Sequence, residues 1–187
     1  MNPHFARFLK AVAYAPRRFE YLGGWDYPFA KKSPAQAQRN LDLLLALYPL
    51  LTRNPQWVLA PGSVLVVCPR VEAALYPDVA VVAAPVRYSP LTPPAIAAPV
   101  FIAEVNDPSP RQRARYAAYT SLDSVVEYLR LDPSSPGGEL KRRLTGGIWQ
   151  TAEVDFRLGP VRLESLGLNL WLPDLPPADP DAESTAT

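Results

Sequence analysis

The sequence predicts an α/β (α+β) fold, a mixed β-sheet core flanked by helices, and three observations carry that expectation. A long apolar helical segment is opened by Ser33-Pro34 and precedes several short runs rich in Val, Ile and Ala. A second helix, opened by Ser109-Pro110, stands between the runs Val100 to Val105 and Val125 to Leu131. The resulting order of helix, strands, helix and strand calls for a sheet with at least one parallel pair.

Taken along the chain, Pro3 to Ala15 reads as a short helix with Phe5, Phe8, Leu9 and Val12 on one face. Phe19 to Phe29 places Gly23-Gly24 between aromatics, the signal of a turn or hairpin. The helix capped by Ser33 should run to about Leu51, with Leu41, Leu44, Leu45 and Tyr48 at helical spacing and Pro49 distorting or ending its last turn. Val58 to Leu59, Val64 to Cys68, Val79 to Ala83 and Val100 to Val105 read as strands. The segment 85–99 holds five prolines and reads as an irregular loop. A helix from Pro110 to about Ser121 then leads to a strand ended by Asp132-Pro133, and the pair around that helix should be a parallel crossover. Later β segments are expected near Gly147 to Gln150, Glu153 to Leu158 and Leu168 to Leu172. One domain over 1–172 and a disordered tail at 173–187, rich in Pro, Asp, Ser and Thr, complete the expectation.

Composition narrows the chemistry. A chain of 187 residues, 48% hydrophobic and 20% charged, is of a size and kind to build one packed core. Its net charge of +1 gives no global field for a polyanion, so any nucleic-acid contact needs a local patch. Cys68 is the only cysteine, which excludes an intrachain disulfide and a cysteine-rich zinc site, and it reads as a buried small hydrophobe. His4 is the only histidine and lies near a terminus, so triads built on histidine are not expected. Catalysis would rest on carboxylates, lysine, arginine or an oxygen-bound metal. No secretory leader is read, Leu41 to Leu51 is too short to span a bilayer, and a cytoplasmic location is expected. No phosphate-cradling glycine loop is present, so no nucleotide cofactor is expected.

The informative residues are Asp78, at the start of one apolar strand, and Glu104, 26 residues later near the end of another. A carboxylate bordering an apolar strand costs several kcal/mol unless paired, protonated or bound to a cation. Two on neighbouring strands can share a hard cation such as Mg²⁺. Spacing alone favours exposed strand-end acids or a salt bridge, since an acid at each of two strand ends is common.

The wider pattern is more specific. Pro77-Asp78, Glu104-Val105, Ser109-Pro110, Tyr116 and the phrase Glu127-Tyr128-Leu129-Arg130-Leu131-Asp132-Pro133 resemble the Uma-two family of restriction-endonuclease-like proteins in the PD-(D/E)XK superfamily. Phe19-Glu20 before Gly23-Gly24, and Ser33-Pro34 at the helix start, extend the resemblance over roughly residues 19–133. It implies a restriction-endonuclease-like core, a nuclease activity dependent on Mg²⁺ or Mn²⁺, Asp78 and Glu104 as metal ligands, and Glu20 as a candidate third acid. Nucleic acid, with DNA favoured, would be the partner, and a homodimer is plausible for cutting two strands.

The chain departs from that pattern at the basic residue. Asn106 stands where the simplest motif has lysine, and Gln112 stands where relatives carry it on the following helix. Either can orient a water, but neither brings positive charge. Arg111, Arg113 and Arg115 flank the gap and are candidate nucleic-acid contacts, against a reading as solvated helix charges. Lys31-Lys32 and Lys141-Arg142-Arg143 are further basic runs, the latter read as a solvated loop. Three readings follow: a metal-dependent nuclease, a nuclease fold that binds without cleaving, and a structural module in which Asp78 and Glu104 are merely salt-bridged.

Overall fold

The alternation of side chains in two apolar runs builds the centre of the molecule. A computed structural model describes residues 1–91 and 95–173. The tail expected from Pro173 therefore lies, apart from its first residue, outside the described residues. In chain order the elements are α1 (Pro3–Val12), β1 (Phe19–Leu22), β2 (Trp25–Pro28), α2 (Pro34–Leu51), β3 (Trp57–Pro61), β4 (Val66–Cys68), β5 (Ala73–Leu75), β6 (Val79–Ala83), β7 (Pro99–Val105), α3 (Pro110–Thr120), β8 (Glu127–Leu131), β9 (Gly137–Arg143), β10 (Trp149–Asp155), β11 (Val161–Leu163) and β12 (Leu168–Leu170). Six strands form one sheet in the order β10-β9-β8-β7-β6-β3, and β2-β1-β5-β4 form a second. As expected, β7 and β8 pair in parallel around α3, while β6 and β7 pair antiparallel.

The two faces of the large sheet differ by one residue of phase. Val79, Val81, Phe101, Ala103, Val105, Leu129 and Leu131 point to the side covered by Leu43, Leu47 and Leu51 of α2. Ala80, Val82, Ile102 and Tyr128 point to the other side, where Ala118 and Tyr119 of α3 and Val66 and Leu75 of the smaller sheet cover them. Full burial of each leucine contributes about 1.5–3 kcal/mol. The structure corrects the expected face of α2: Leu41, Leu45 and Tyr48 are exposed, and the row Arg39, Leu43, Leu47, Leu51 is buried. Pro49 sits inside the helix near its end, and the helix continues to Leu51.

Local chemistry explains the joints. Ser33 and Gln36 form a reciprocal capping box at the start of α2, and Ser109 accepts from the Gln112 N–H at the start of α3. Gly23 and Gly24 both take positive φ, 62° and 91°, in the two-residue turn of the β1–β2 hairpin. His4 is held within α1 with its ring against Tyr21. Cys68 is buried as expected, and burial pushes its thiol up to about 12.

Other corrections fall in the C-terminal third. Lys141-Arg142-Arg143 is part of a strand, β9, and not a solvated loop: Arg142 pairs with buried Glu127, and Arg143 stacks on Trp149. The two segments expected between Gly147 and Leu158 are a single strand, β10, followed by a turn of 3-10 helix. The short strands β5 and β11 carried no clear signal. No helix among the described residues is long and apolar enough to cross a membrane.

Candidate active site

The register of β6 and β7 places the first two acids together. Val79 is the partner of Ala103, so Asp78 and Glu104 are the next residues at that end, on the side of the sheet facing α3. β1 brings the third acid from the smaller sheet, where the Tyr76 N–H donates to Glu20 Oε1 at 2.8 Å. All three carboxylates are buried, Glu20 and Glu104 to 1% exposure. They line a hollow of about 160 Å³ together with Lys32, Asn106 and Gln112.

Asp78 is held by the backbone and by a lysine. Its Oδ2 accepts from the Val105 N–H at 2.7 Å and from Lys32 Nζ at 2.7 Å. The same ammonium donates to the Val105 carbonyl at 3.3 Å. Burial raises the Asp78 carboxyl above its ordinary range, and Glu104 adds to this, while Lys32 and the Val105 N–H oppose it.

Glu104 lies in a more crowded shell. Arg115 donates to Oε1 from Nε at 2.8 Å and from Nη2 at 2.5 Å. The Tyr128 hydroxyl donates to Oε2 at 2.8 Å and itself accepts from Gln112 Nε2 at 2.8 Å. Burial pushes both the Tyr119 and Tyr128 hydroxyls well above their usual value, so both stay protonated as donors. Arg115 also reaches Glu20 Oε2 at 2.6 Å and the Tyr76 carbonyl at 2.9 Å. Burial works against its charge, but Glu104, Tyr119 and Glu20 outweigh that and hold it protonated well above the usual arginine value. Arg111 completes the set, 3.2 Å from Glu20 Oε2 with its guanidinium stacked 4.7 Å over Tyr27.

Three carboxylates thus face three cations, Lys32, Arg111 and Arg115. Ion pairing of Asp78 and Glu104 is the arrangement expected of a structural module, and the readings separate on what else the pocket offers. Asp78 Oδ1 takes none of the bonds to Lys32 and Val105. Asn106 Oδ1 is buried without a partner, although its amide lies 3.5 Å from Glu104 Oε2. A buried acceptor left without a donor costs about 1–3 kcal/mol, and such sites are where an ion or water is expected.

Asp78, Glu104 and Glu20 converge. Gln112 borders the hollow but bonds Tyr128, one step from the carboxylate. Arg115, grouped by sequence with exposed contacts, is instead only 11% exposed at its side chain and committed to Glu104 and Glu20, because its place on α3 aims it under the sheet. Arg113 is exposed and away from the hollow. Sequence reasoning named Lys32 only as part of a basic run; in the structure it brings a lysine charge to Asp78 from the linker before α2, where no local pattern marks that meeting. Tyr128 was legible only as part of the strand phrase. A larger hollow of about 340 Å³, bordered by Val12, Leu59 and Ile96, has no charged residue in its wall. Its size does not make it the site of polar chemistry.

Comparison with known proteins agrees with this architecture. The crystal structure of "a putative nuclease belonging to DUF820" from Anabaena variabilis ATCC 29413 superposes with a TM-score of 0.69 at 14% identity. That match covers 91% of this chain and 95% of the other, and at such identity it shows the fold. No curated protein matches the sequence. The family model Uma2, described as "Putative restriction endonuclease", matches residues 5–175, most of the chain. The chain belongs to the Uma2 family.

Proposed function

We propose that this protein hydrolyses phosphodiester bonds of nucleic acid in the hollow formed by Glu20, Asp78 and Glu104, with DNA the polymer to test first. The observation that carries the reading is the convergence of Asp78 and Glu104 beside Lys32, whose ammonium bridges the Asp78 carboxylate and the Val105 carbonyl. That ammonium is a cation standing between two oxygen donors. With the free Asp78 Oδ1 and the partnerless Asn106 Oδ1, the donor set is all oxygen and suits Mg²⁺ or Mn²⁺. Asp78 and Glu104 would hold the ion, which when bound supplies Lewis-acid polarisation of a phosphoryl oxygen and activation of water.

The chain's own residues do the rest. Lys32 has to withdraw from Asp78 to make room, since an ammonium and a divalent ion about 4 Å apart repel by about 2–8 kcal/mol, twice the value for two unit charges. Its flexible stem leaves the ammonium within the hollow, where it neutralises phosphate in place of the lysine absent at Asn106 and Gln112. Arg115 and Tyr128 fix the orientation of Glu104, and Gln112 fixes Tyr128. Arg111 holds a side of Glu20 at the rim and presents charge outward.

A second reading, nucleic-acid binding without cleavage, is favoured by one observation: the three acids are already balanced by three cations. Calorimetric titration of Mn²⁺ into the wild type and Asp78→Ala separates the two. Saturable binding lost in the variant, together with Mn²⁺-dependent cleavage of plasmid, single-stranded or RNA substrate, is the expected result. No binding with or without an oligonucleotide would leave the second reading.

A further inference from the structure

We propose that a basic groove next to the hollow receives the sugar-phosphate backbone of a single strand of nucleic acid and leads it to the carboxylates. The inference rests on the proposed function and adds the substrate class and its path.

The groove lies between two linkers, the one joining α1 to β1 and the one joining β2 to α2. It measures about 920 Å³ and is walled by Arg17, Arg18, Phe29, Lys31 and Lys32 between Pro16 and Pro28. Four cations line it and no acid does. On a chain of net charge +1 this is a local concentration of charge, the footprint expected of a phosphate track. It opens into the hollow, because Phe29, Lys31 and Lys32 border both.

The state of these cations is as telling as their number. Many of the chain's cations are spent on acids, as in Arg70 with Asp123, Arg142 with Glu127, Arg157 with Asp155 and, within the groove itself, Lys32 with Asp78. Arg7, Lys10, Arg53, Arg87 and Arg113 pair with no acid among the described residues but are scattered outside any shared groove wall. Arg17 and Lys31 are exposed and have no hydrogen-bond or ion-pair partner among the described residues. Arg18 is pre-arranged: it donates to the Gly62 carbonyl at 2.7 Å and lies 4.4 Å over the Phe29 ring. Held charges and free ones thus alternate along a wall stiffened by two prolines.

Aromatic residues decide for a single strand. Trp25 and Tyr27 share one face of β2, and Phe29 continues the alternation, with its N–H bonded to the Arg18 carbonyl at 2.9 Å. Trp25 is 68% exposed, and Tyr27 and Phe29 each carry an arginine on the ring. Phe29 lies in the groove wall and Tyr27 and Trp25 continue from it along β2, so rings and guanidinium planes beside the free cations offer stacking to unpaired bases, whose faces a duplex conceals.

The test is fluorescence anisotropy of a labelled single-stranded oligonucleotide, and of the same sequence as a duplex, in EDTA over a range of salt. The wild type should prefer the single strand. The double variant R17A/K31A should bind about tenfold more weakly, and its log–log salt slope should fall by about 1.4, two phosphates at about 0.7 each. R162A, a substitution at an exposed arginine outside the groove, should bind as the wild type does. Unchanged affinity and slope in R17A/K31A, equal loss in R162A, or preference for the duplex would overturn the proposal. Thermal melts of each variant exclude unfolding as the cause. Cleavage assays in Mn²⁺ keep the two ideas apart. Groove-dependent binding with no cleavage by the wild type removes the nuclease reading and leaves the groove. Asp78-dependent cleavage with an indifferent groove does the reverse.

Discussion

The two faces of the six-stranded sheet are built from the same strands and both bury apolar side chains, but only one of them also carries the acids. Toward α2, β6, β7 and β8 present Val79, Val81, Phe101, Ala103, Val105, Leu129 and Leu131, a dry surface whose contribution is burial. Toward α3, the same strands and their ends present Asp78, Glu104, Tyr128 and Arg130, with almost every polar atom assigned a partner. Because side chains alternate with a period of two, stability and chemistry are separated by single positions. The lesson is that substitutions one residue apart should fall into different experimental classes.

The largest expected effect breaks that separation. Arg115→Ala would leave Glu20 and Glu104 buried without their shared cation, so chemical denaturation should show a loss of about 3–5 kcal/mol. Arg115→Lys should recover only part, because one ammonium cannot reproduce the fork that meets two carboxylates and the Tyr76 carbonyl. On the dry face, Leu47→Ala should cost about 2–5 kcal/mol, with cleavage per folded molecule unchanged. Loss of activity in that variant beyond its unfolded fraction would dissolve the contrast. Asp78→Ala sharpens it from the other side: cleavage should fall by about 100-fold or more, with a melting curve that stays cooperative.

The smallest effect lies outside both faces. The Arg70 guanidinium, hydrogen-bonded to Asp123 at 2.8 and 3.1 Å, holds that exposed carboxyl below its ordinary range. A depressed carboxyl contributes stability above its unfolded pKa and loses it as pH falls through the folded value. The melting difference between wild type and Arg70→Ala should therefore be small at neutral pH, begin to fade as pH falls through about 4, and vanish only below the depressed Asp123 value. A difference that grew on acidification would contradict the pairing.

How legible this was depended on the kind of signal. Ser33-Pro34 and Ser109-Pro110 marked helix starts because capping is local chemistry, and the Glu104 and Tyr128 phrases marked the central strands. The buried face of α2 was misread because its leucines occur on nearly every side. Spacing could not distinguish Leu41 and Leu45 from Leu43 and Leu47, which tertiary packing chose. β9 was hidden because a strand rich in Glu, Lys and Arg does not look apolar, and its charges are satisfied only once β8 and β10 lie beside it. In the site, Asp78, Glu104 and Glu20 were named as acids and Arg111, Arg115 and Lys32 as basic residues, but not that the one set answers the other. Lys32 and Arg115 are 46 and 11 residues from their carboxylates, and nothing in the chain between them encodes that meeting.

The Val105 backbone carries a different implication. Its N–H orients Asp78 and its carbonyl receives Lys32, while its side chain lies in the core. The aim of the carboxylate is thus inherited from strand register and is blind to which aliphatic residue occupies the position. A library randomised at residue 105 should tolerate Ile and Leu readily and reject Pro, which lacks the donor. Drift at this position can therefore leave the site's geometry untouched, so the history of the site would be written in neighbouring side chains and not in the residue that holds it.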